Sequence, residues 1–201
     1  MNDRVERTQS NDGGHTALPG DSGVWFFIVA DMCAFALFFL VFMVGRAAQP
    51  AIYEAGRAQL DLRFGLANTL ILLTSGAFMA KAAREAQAGR WLTCRRFMVI
   101  ALCSGLPFGV SKAMEWKAKA AHGIGLTTNE FFTYYFVLTG VHFLHFVIGV
   151  AVLIGLIGMS TRQGEPEAKR LRWIEAGGTY WHMVDLLWIV LFAMLYLLRA
   201  A

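Results

Sequence analysis

Charged residues are scarce in this chain and are absent from its longest apolar run. Asp, Glu, Lys and Arg make up 16% of the 201 residues, whereas about a quarter is usual for a soluble domain. Residues 131–161 contain none of the four. This shortage excludes an ordinary soluble domain. The net charge of +4 does not indicate a nucleic-acid partner either, because the basic residues lie between apolar runs, as in the loops of a membrane protein.

Cysteines and the common catalytic motifs are equally sparse. The three cysteines, Cys33, Cys94 and Cys103, show no CxxC or zinc-ligand spacing, which favours small packing residues over a disulfide or metal site. Neither GxSxG nor GxxxxGKS/T occurs, so nothing indicates a serine nucleophile or a phosphate-binding loop. Function therefore has to be sought in the few polar residues inside the apolar runs.

Five apolar runs predict an all-α integral membrane bundle of five transmembrane helices. A helix over residues 131–161 would be roughly 46 Å long, more than the ~30 Å hydrocarbon core of a bilayer. The third run is interrupted by Pro107 and needs the residues behind it to span. One membrane domain, 22–201, is expected to follow a polar tail, 1–21, that lacks a signal-peptide pattern. The predicted spans are 22–45, 64–82, 95–117, 131–160 and 176–199.

The connections between the spans predict the orientation. Lys and Arg number eleven on the side of the N-terminus and seven on the other side, which by the positive-inside rule predicts a cytoplasmic N-terminus. Five spans then place the C-terminus outside. Residues 46–63 are expected to form a polar connection and 163–175 a charged loop, while Thr127, Thr128 and Asn129 are candidate N-caps of the fourth span.

Polar residues inside the predicted spans are the candidate functional residues, because polar groups at that depth face other helices or a cavity. Depth along each helix predicts which of them can meet. Asp31 and Asp185 each lie nine residues past the start of a span, about 14 Å in. We therefore expect Asp31 to meet His182 and Asp185 and to tie the first span to the last. The candidates are Asp31, Glu115, Thr139, His142, His145, Trp181, His182 and Asp185.

The fourth span carries a polar stripe. His142 and His145 are three residues apart and share one face with Thr139. This stripe is expected to join the fourth span to its neighbours, while Glu115 lies toward the opposite membrane face. Trp181 and Trp188, seven residues apart, are interpreted as packing residues rather than a cofactor box.

Metal or haem binding, a proton or ion path and plain helix packing are the three chemical interpretations of these side chains. A di-iron site in a helix bundle needs four carboxylates near one depth, but the spans hold only three, at two depths. Two histidines on one helix face do not hold a haem iron from opposite sides. A proton or ion path remains open, although the polar groups form no ladder across the membrane. The plainest interpretation is interhelical hydrogen bonding that fixes the packing.

These residues, in this order, resemble subunit III of the haem–copper respiratory oxidases. The resemblance covers about residues 18–199, and its most specific patterns are TGxHxxHxxxG and YWHxxDxxW. The five-span length resembles the short form of the family, and the loop GIGLTTNEFFTYYF and the ending YWHMVDLLWIVLF are most similar to the nitric-oxide-reductase-associated branch. The family usually has glutamate where this chain has Asp31. The matching stretches are LPGDSGVWFFIVADMCAFALFF, ANTLILLTSG, Glu115-Trp116, FFTYYFVLTGVHFLHFVIG and GGTYWHMVDLLWIVLF.

The resemblance implies an accessory subunit in the bacterial inner membrane. Such a chain holds no haem or metal of its own, catalyses nothing alone, binds phospholipid between its helices and stabilises a large haem-bearing partner subunit. We expect that complex to be tied to nitric oxide reduction. The alternatives are subunit III of a cytochrome c or quinol oxidase and, from another class, a proton or ion transporter.

Overall fold

The helices match the five expected spans. The structure, a computed structural model, describes residues 22–160 and 166–198, so the predicted tail 1–21 lies outside the described residues. Those residues contain helices and no strand. Five of the helices are long and apolar enough to cross a membrane, which confirms the all-α, five-span architecture. The elements are α1 (Ser22–Ala48), α2 (Pro50–Ala58), α3 (Leu62–Gln87), α4 (Trp91–Ala121), α5 (Glu130–Met159), α6 (Glu167–Phe192) and a π-helical turn (Ala193–Leu197).

Two helices continue well past the predicted span ends. Pro107 lies inside α4, which is 31 residues long, so the proline costs one backbone hydrogen bond without ending the helix. The last helix begins at Glu167, nine residues before the predicted span. Residues 167–175, EAKRLRWIE, are mostly strong helix formers, so the charged loop expected there is wrong for this stretch.

The connection between the first two spans contains the short helix α2, which the sequence analysis did not predict. Pro50 opens this helix, where its missing N–H costs nothing. Its Tyr53 donates a hydrogen bond to Glu130 in the first turn of α5 (3.1 Å), and Gln49 donates to the same carboxylate (2.7 Å). Burial, followed by this contact with Glu130, raises the pKa of the Tyr53 phenol above its ordinary value. These bonds hold α2 against the start of α5.

α6 is the central helix of the bundle. It packs against α3, α5 and α1, and α4 closes the bundle between α3 and α5. By contrast, α1 contacts the other helices through one narrow stripe. Its buried side chains among the described residues are Ile28, Phe35 and Phe42, spaced seven apart as in a coiled-coil seam. Most of the other residues of α1 are apolar and exposed.

The beginnings of two helices are fixed by side-chain caps. The Asn129 side chain accepts from the Phe132 N–H (2.9 Å), which confirms one of the three N-caps predicted for the fourth span. The Asp61 carboxylate caps α3 in the same way, accepting from the Arg63 N–H (2.8 Å).

Candidate functional site

Asp31 and His145 form a pair that joins α1 to α5. The distance from Asp31 Oδ1 to His145 Nε2 is 3.1 Å, and both side chains are largely buried. The prediction that Asp31 meets His182 and Asp185 is therefore wrong. The Tyr180 hydroxyl donates to the His145 carbonyl (3.2 Å), so α6 takes part through a side chain that bonds to the backbone of α5.

The geometry of His145 determines where its protons lie. Its Nδ1 is 2.8 Å from the Val141 carbonyl oxygen, and a carbonyl only accepts, so Nδ1 carries hydrogen. The other nitrogen, Nε2, then meets an Asp31 oxygen at hydrogen-bonding distance. A hydrogen bond between these two atoms needs one proton, because neither a bare carboxylate nor a bare nitrogen lone pair can donate. Asp31 and His145 are thus placed to share a proton between α1 and α5.

The mistaken pairing came from helix rotation, not from depth. The rings of Phe27 and Tyr180 are 6.4 Å apart, so Asp31, one turn past Phe27, lies level with residue 184 on α6. Asp185, however, faces α3. A Cβ placed on Gly76 of α3 would collide with Asp185 Oδ2. The two acids are therefore at a similar level on different sides of α6.

His182 and Asp185 form a second group, at the α3 side of α6. His182 Nδ1 lies 3.8 Å from Asp185 Oδ2; the Asp185 side chain is 8% exposed, while that of His182 is 47% exposed. The second carboxylate oxygen of Asp185 is buried without a hydrogen-bond partner among the described residues. The absence of a side chain at Gly76 makes room for this carboxylate.

A third group surrounds Lys112 and was missed as a cluster by the sequence analysis. The Lys112 ammonium is fully buried and donates to Glu115 Oε2 (3.0 Å), the Tyr135 hydroxyl (3.2 Å) and the Tyr196 hydroxyl (3.3 Å). Both hydroxyls donate in turn to Glu115 Oε1, at 2.7 and 2.9 Å. The face of Trp188 lies 5.1 Å from the ammonium. We call Lys112, Glu115, Tyr135 and Tyr196 the Lys112 cluster.

Donors and acceptors in the Lys112 cluster match. An ammonium group has three donors, and all three find acceptors, while each phenol accepts one bond and donates one. The arrangement suits a charged lysine beside a charged glutamate. Tyr196 reaches the cluster from the π-helical turn, an irregularity that the sequence does not signal. Tyr135 is fully buried.

The polar stripe of α5 reaches three neighbouring helices. His142 is fully buried, with Phe108 of α4 and Trp188 of α6 at ring-centroid distances of 5.7 and 5.4 Å. Neither of its ring nitrogens has a hydrogen-bond partner among the described residues. Thr139 bonds within its own helix, to the Tyr135 carbonyl (2.6 Å). The two histidines thus contact other helices, whereas the hydrogen bond of Thr139 stays within α5.

The two tryptophans of α6 are anchored by hydrogen bonds. Trp181 Nε1 donates to Ser75 Oγ (3.2 Å), and Ser75 donates to the Ala101 carbonyl (2.7 Å), which links α6, α3 and α4. Trp188 Nε1 donates to Thr69 Oγ1 (3.1 Å). Both rings pack in the core with their polar edges satisfied.

The acids and imidazoles do not gather around one point. Within residues 22–160 and 166–198, no group of three or more His, Cys, Asp or Glu side chains is placed to hold a metal ion. The contacts divide between the Asp31–His145 pair, the His182–Asp185 pair and the Lys112 cluster. Chemically, these groups can clamp helices together and can hold protons.

Known proteins resemble this chain along most of its length. The family model described as "Cytochrome c oxidase subunit III" matches residues 6–199. The cytochrome c oxidase subunit 3 of Synechocystis sp. is 29% identical over 201 residues, covering 94% of this chain and 85% of the relative. A probable cytochrome c oxidase subunit 3 of Mycobacterium tuberculosis is 27% identical, covering 88% and 85%. The heme-copper oxidase subunit I+III of Aeropyrum pernix is 29% identical, covering 91% of this chain and 23% of that longer protein.

Proposed function

Since the chain belongs to the cytochrome c oxidase subunit III family, we propose that it stabilises the large haem-bearing subunit of a respiratory haem–copper complex and catalyses nothing itself. The family match along nearly the whole chain carries this proposal. The relative from Aeropyrum pernix, named subunit I+III, supports it, because a fused chain keeps the two subunits at equal numbers and close together. The Asp31–His145 pair and the Lys112 cluster join helices of this chain to one another, which suits a supporting subunit.

A narrower proposal is that the complex reduces nitric oxide. Support comes from the five-span length and from two stretches, 123–136 and 180–192, that resemble the nitric-oxide-reductase-associated branch. The loop in the first stretch is built by hydrogen bonds of Thr128 to the Gly125 N–H (2.8 Å) and of Thr133 to the Leu126 carbonyl (2.6 Å). The alternative is that the chain is subunit III of a cytochrome c or quinol oxidase.

One purification tests both the association with a haem-bearing subunit and the narrower proposal of nitric oxide reduction. The tagged chain is extracted from its own membranes in a mild detergent, and the Soret band, the partner polypeptides and the enzyme activities are measured. We expect a haem-bearing multi-span partner in about equal amount, with nitric oxide consumption. Oxygen consumption with cytochrome c or quinol, without nitric oxide consumption, would favour the alternative. A chain free of haem and of any such partner would overturn the proposal.

A proton or ion transporter is the second candidate, and buried titratable groups favour it. The Asp31–His145 pair lies at a similar level to His182 and Asp185. A transporter would move protons across liposomes that contain this chain alone, whereas an accessory subunit would not. Liposomes with the Asp31→Asn variant are the matched control.

Bound phospholipid is proposed at a groove between α1, α5 and α6. A cavity of about 260 Å³ lies there, lined by apolar atoms of Phe27, Val152, Leu156 and Gly177 among others. A second cavity nearby carries Arg172, whose guanidinium suits a phosphate. Native mass spectrometry of the purified chain is expected to show retained phospholipid, lost in a Gly177→Trp variant.

The proposal also places the chain in the inner membrane with its N-terminus in the cytoplasm. The excess of basic residues on the N-terminal side supports this orientation. Single cysteines in the loops at positions 88 and 127, in a background without the native cysteines, test it in whole cells. A membrane-impermeant thiol reagent should label position 127 and leave position 88 unlabelled.

A further inference from the structure

His182 is unusual because it is polar, central and exposed. It lies inside the last membrane span, three residues before Asp185, and its side chain is 47% exposed. Each of the other described Asp, Glu, His and Lys side chains in the central part of a span is 14% exposed or less, as for Asp31 and His145. Lipid chains offer no hydrogen bond to an imidazole at this depth. Another macromolecule is therefore expected to cover His182.

The surface around His182 is shaped to receive a helix. A groove of about 300 Å³ lies between α3 and α6, and we call it the α3–α6 groove. Its α3 wall carries small residues at a helical spacing of three to four, which let another backbone approach closely. The α6 wall provides the polar pair. The groove is lined by Leu73, Gly76, Ala77, Ala80, His182, Asp185, Leu186 and Ile189.

The polar pair defines the chemistry of what binds there. Asp185 lies nearest to Nδ1 of His182, and a carboxylate favours a proton on the imidazole nitrogen that faces it. With that proton on Nδ1 of a neutral imidazole, Nε2 is an acceptor for an incoming donor. The complement of the groove is a helix that carries a hydroxyl, amide or basic side chain.

We propose that the α3–α6 groove docks a transmembrane helix of the large haem-bearing subunit, which donates a hydrogen bond to His182. This inference rests on the proposed function and adds the surface through which the two subunits meet. The half-exposed imidazole inside a membrane span, beside a wall of small residues, is the observation that carries it.

Two matched substitutions test the docking surface in the intact complex. Ala77→Trp fills the groove, and Ala151→Trp places the same ring on the exposed face of α5; both alanines are exposed. The measured quantities are haem recovered per tagged chain and the thermal midpoint of the free chain. We expect Ala77→Trp to lower the haem recovered at least about tenfold, with an unchanged midpoint. Ala151→Trp should retain wild-type haem.

The hydrogen bond is tested at His182 itself. His182→Leu should lose most of the haem, whereas His182→Gln, which keeps an acceptor, should retain several times more than His182→Leu. A photo-crosslinking residue at position 73 should join this chain to the haem-bearing subunit, identified by mass spectrometry.

Three results would overturn the docking surface. They are full haem recovery with Ala77→Trp, equal recovery with leucine and glutamine at position 182, and crosslinks only to lipid or to a second copy. If wild-type chain itself recovers no haem-bearing partner, the proposed function fails and the docking surface fails with it. If wild type recovers haem and the groove variants do so equally, the docking surface alone is wrong.

Discussion

Replacing Glu115 by glutamine should destabilise the protein strongly, because it leaves a buried ammonium without a counter-charge. Lys112 Nζ and Glu115 Oε2 are 3.0 Å apart, with side-chain exposures of 0% and 9%. Glutamine preserves the shape of the side chain. It also keeps an oxygen for the hydroxyls of Tyr135 and Tyr196, so the change removes mainly the charge.

The expected loss follows from the geometry of the pair. At 3.0 Å and an effective dielectric constant of about 20, two unit charges attract by about 5–6 kcal/mol. Desolvation of both charges offsets much of that attraction in the intact protein. Removal of one charge leaves the other buried and unpaired, which costs about 3–5 kcal/mol. For a chain of this size this corresponds to a fall of about 6–20 °C in the thermal midpoint.

A double-mutant cycle separates the charge from the shape. Glu115→Gln, Lys112→Met and the two together are compared in detergent by the midpoint of thermal unfolding, followed by tryptophan fluorescence. The double variant should lose less stability than Glu115→Gln alone, since no unpaired charge remains. Glu85→Gln is the matched control. It removes a pairing with Arg90, whose side chain is 62% exposed, and should change the midpoint far less. If the stability losses of the two single variants simply add in the double variant, Lys112 and Glu115 do not stabilise each other and the reasoning is refuted.

Three further predictions use the same unfolding measurement. Gly76→Ala pushes a methyl group against a buried carboxylate of α6 and should cost about 1–3 kcal/mol. Gly140→Ala, with nothing within 4 Å of its new Cβ, should not destabilise, and equal losses in the two would contradict the packing. Trp181→Phe removes the hydrogen bond to Ser75 and should lower the free energy of unfolding by at least about 1 kcal/mol. The same substitution in a Ser75→Ala background, where the acceptor is already missing, should have a smaller effect. Asp31→Asn should cost about 1–3 kcal/mol, and wild-type stability would show that its pairing across α1 and α5 is not stabilising.

The five spans were predictable because the bilayer imposes a length and a composition on each helix. Runs without charge, about 20 residues long, have few structural alternatives in a membrane protein. The Asn129 cap of α5 followed from local side-chain chemistry in the same way. Helix ends outside the hydrocarbon were harder to predict, because charged helix formers such as those of 167–175 resemble a loop in composition.

Partners of the buried polar groups were harder to predict than their depth. Asp31 was placed at the right level, yet its partner is His145 on α5 and not the acid and histidine of α6. Depth follows from the 1.5 Å rise per residue, which is common to all helices. The rotation of each helix about its axis depends on how the helices pack, and a single sequence does not show that packing. Consecutive residues of a helix point in directions about 100° apart. An error of that size or less in the assumed rotation of a helix therefore gives a side chain a different partner.

By itself, the sequence determined that the chain is a bundle of five membrane helices with polar residues buried at several depths, and its patterns pointed to the family. The tertiary structure alone decided that Lys112 is enclosed by Glu115 and two tyrosines from α5 and the π-helical turn, and that His182 remains half-exposed beside α3. The physical reason is that burial in a membrane depends on local composition, which each segment carries with it. Pairing depends on how segments distant in sequence rotate and settle against one another, and that is a property of the assembled bundle.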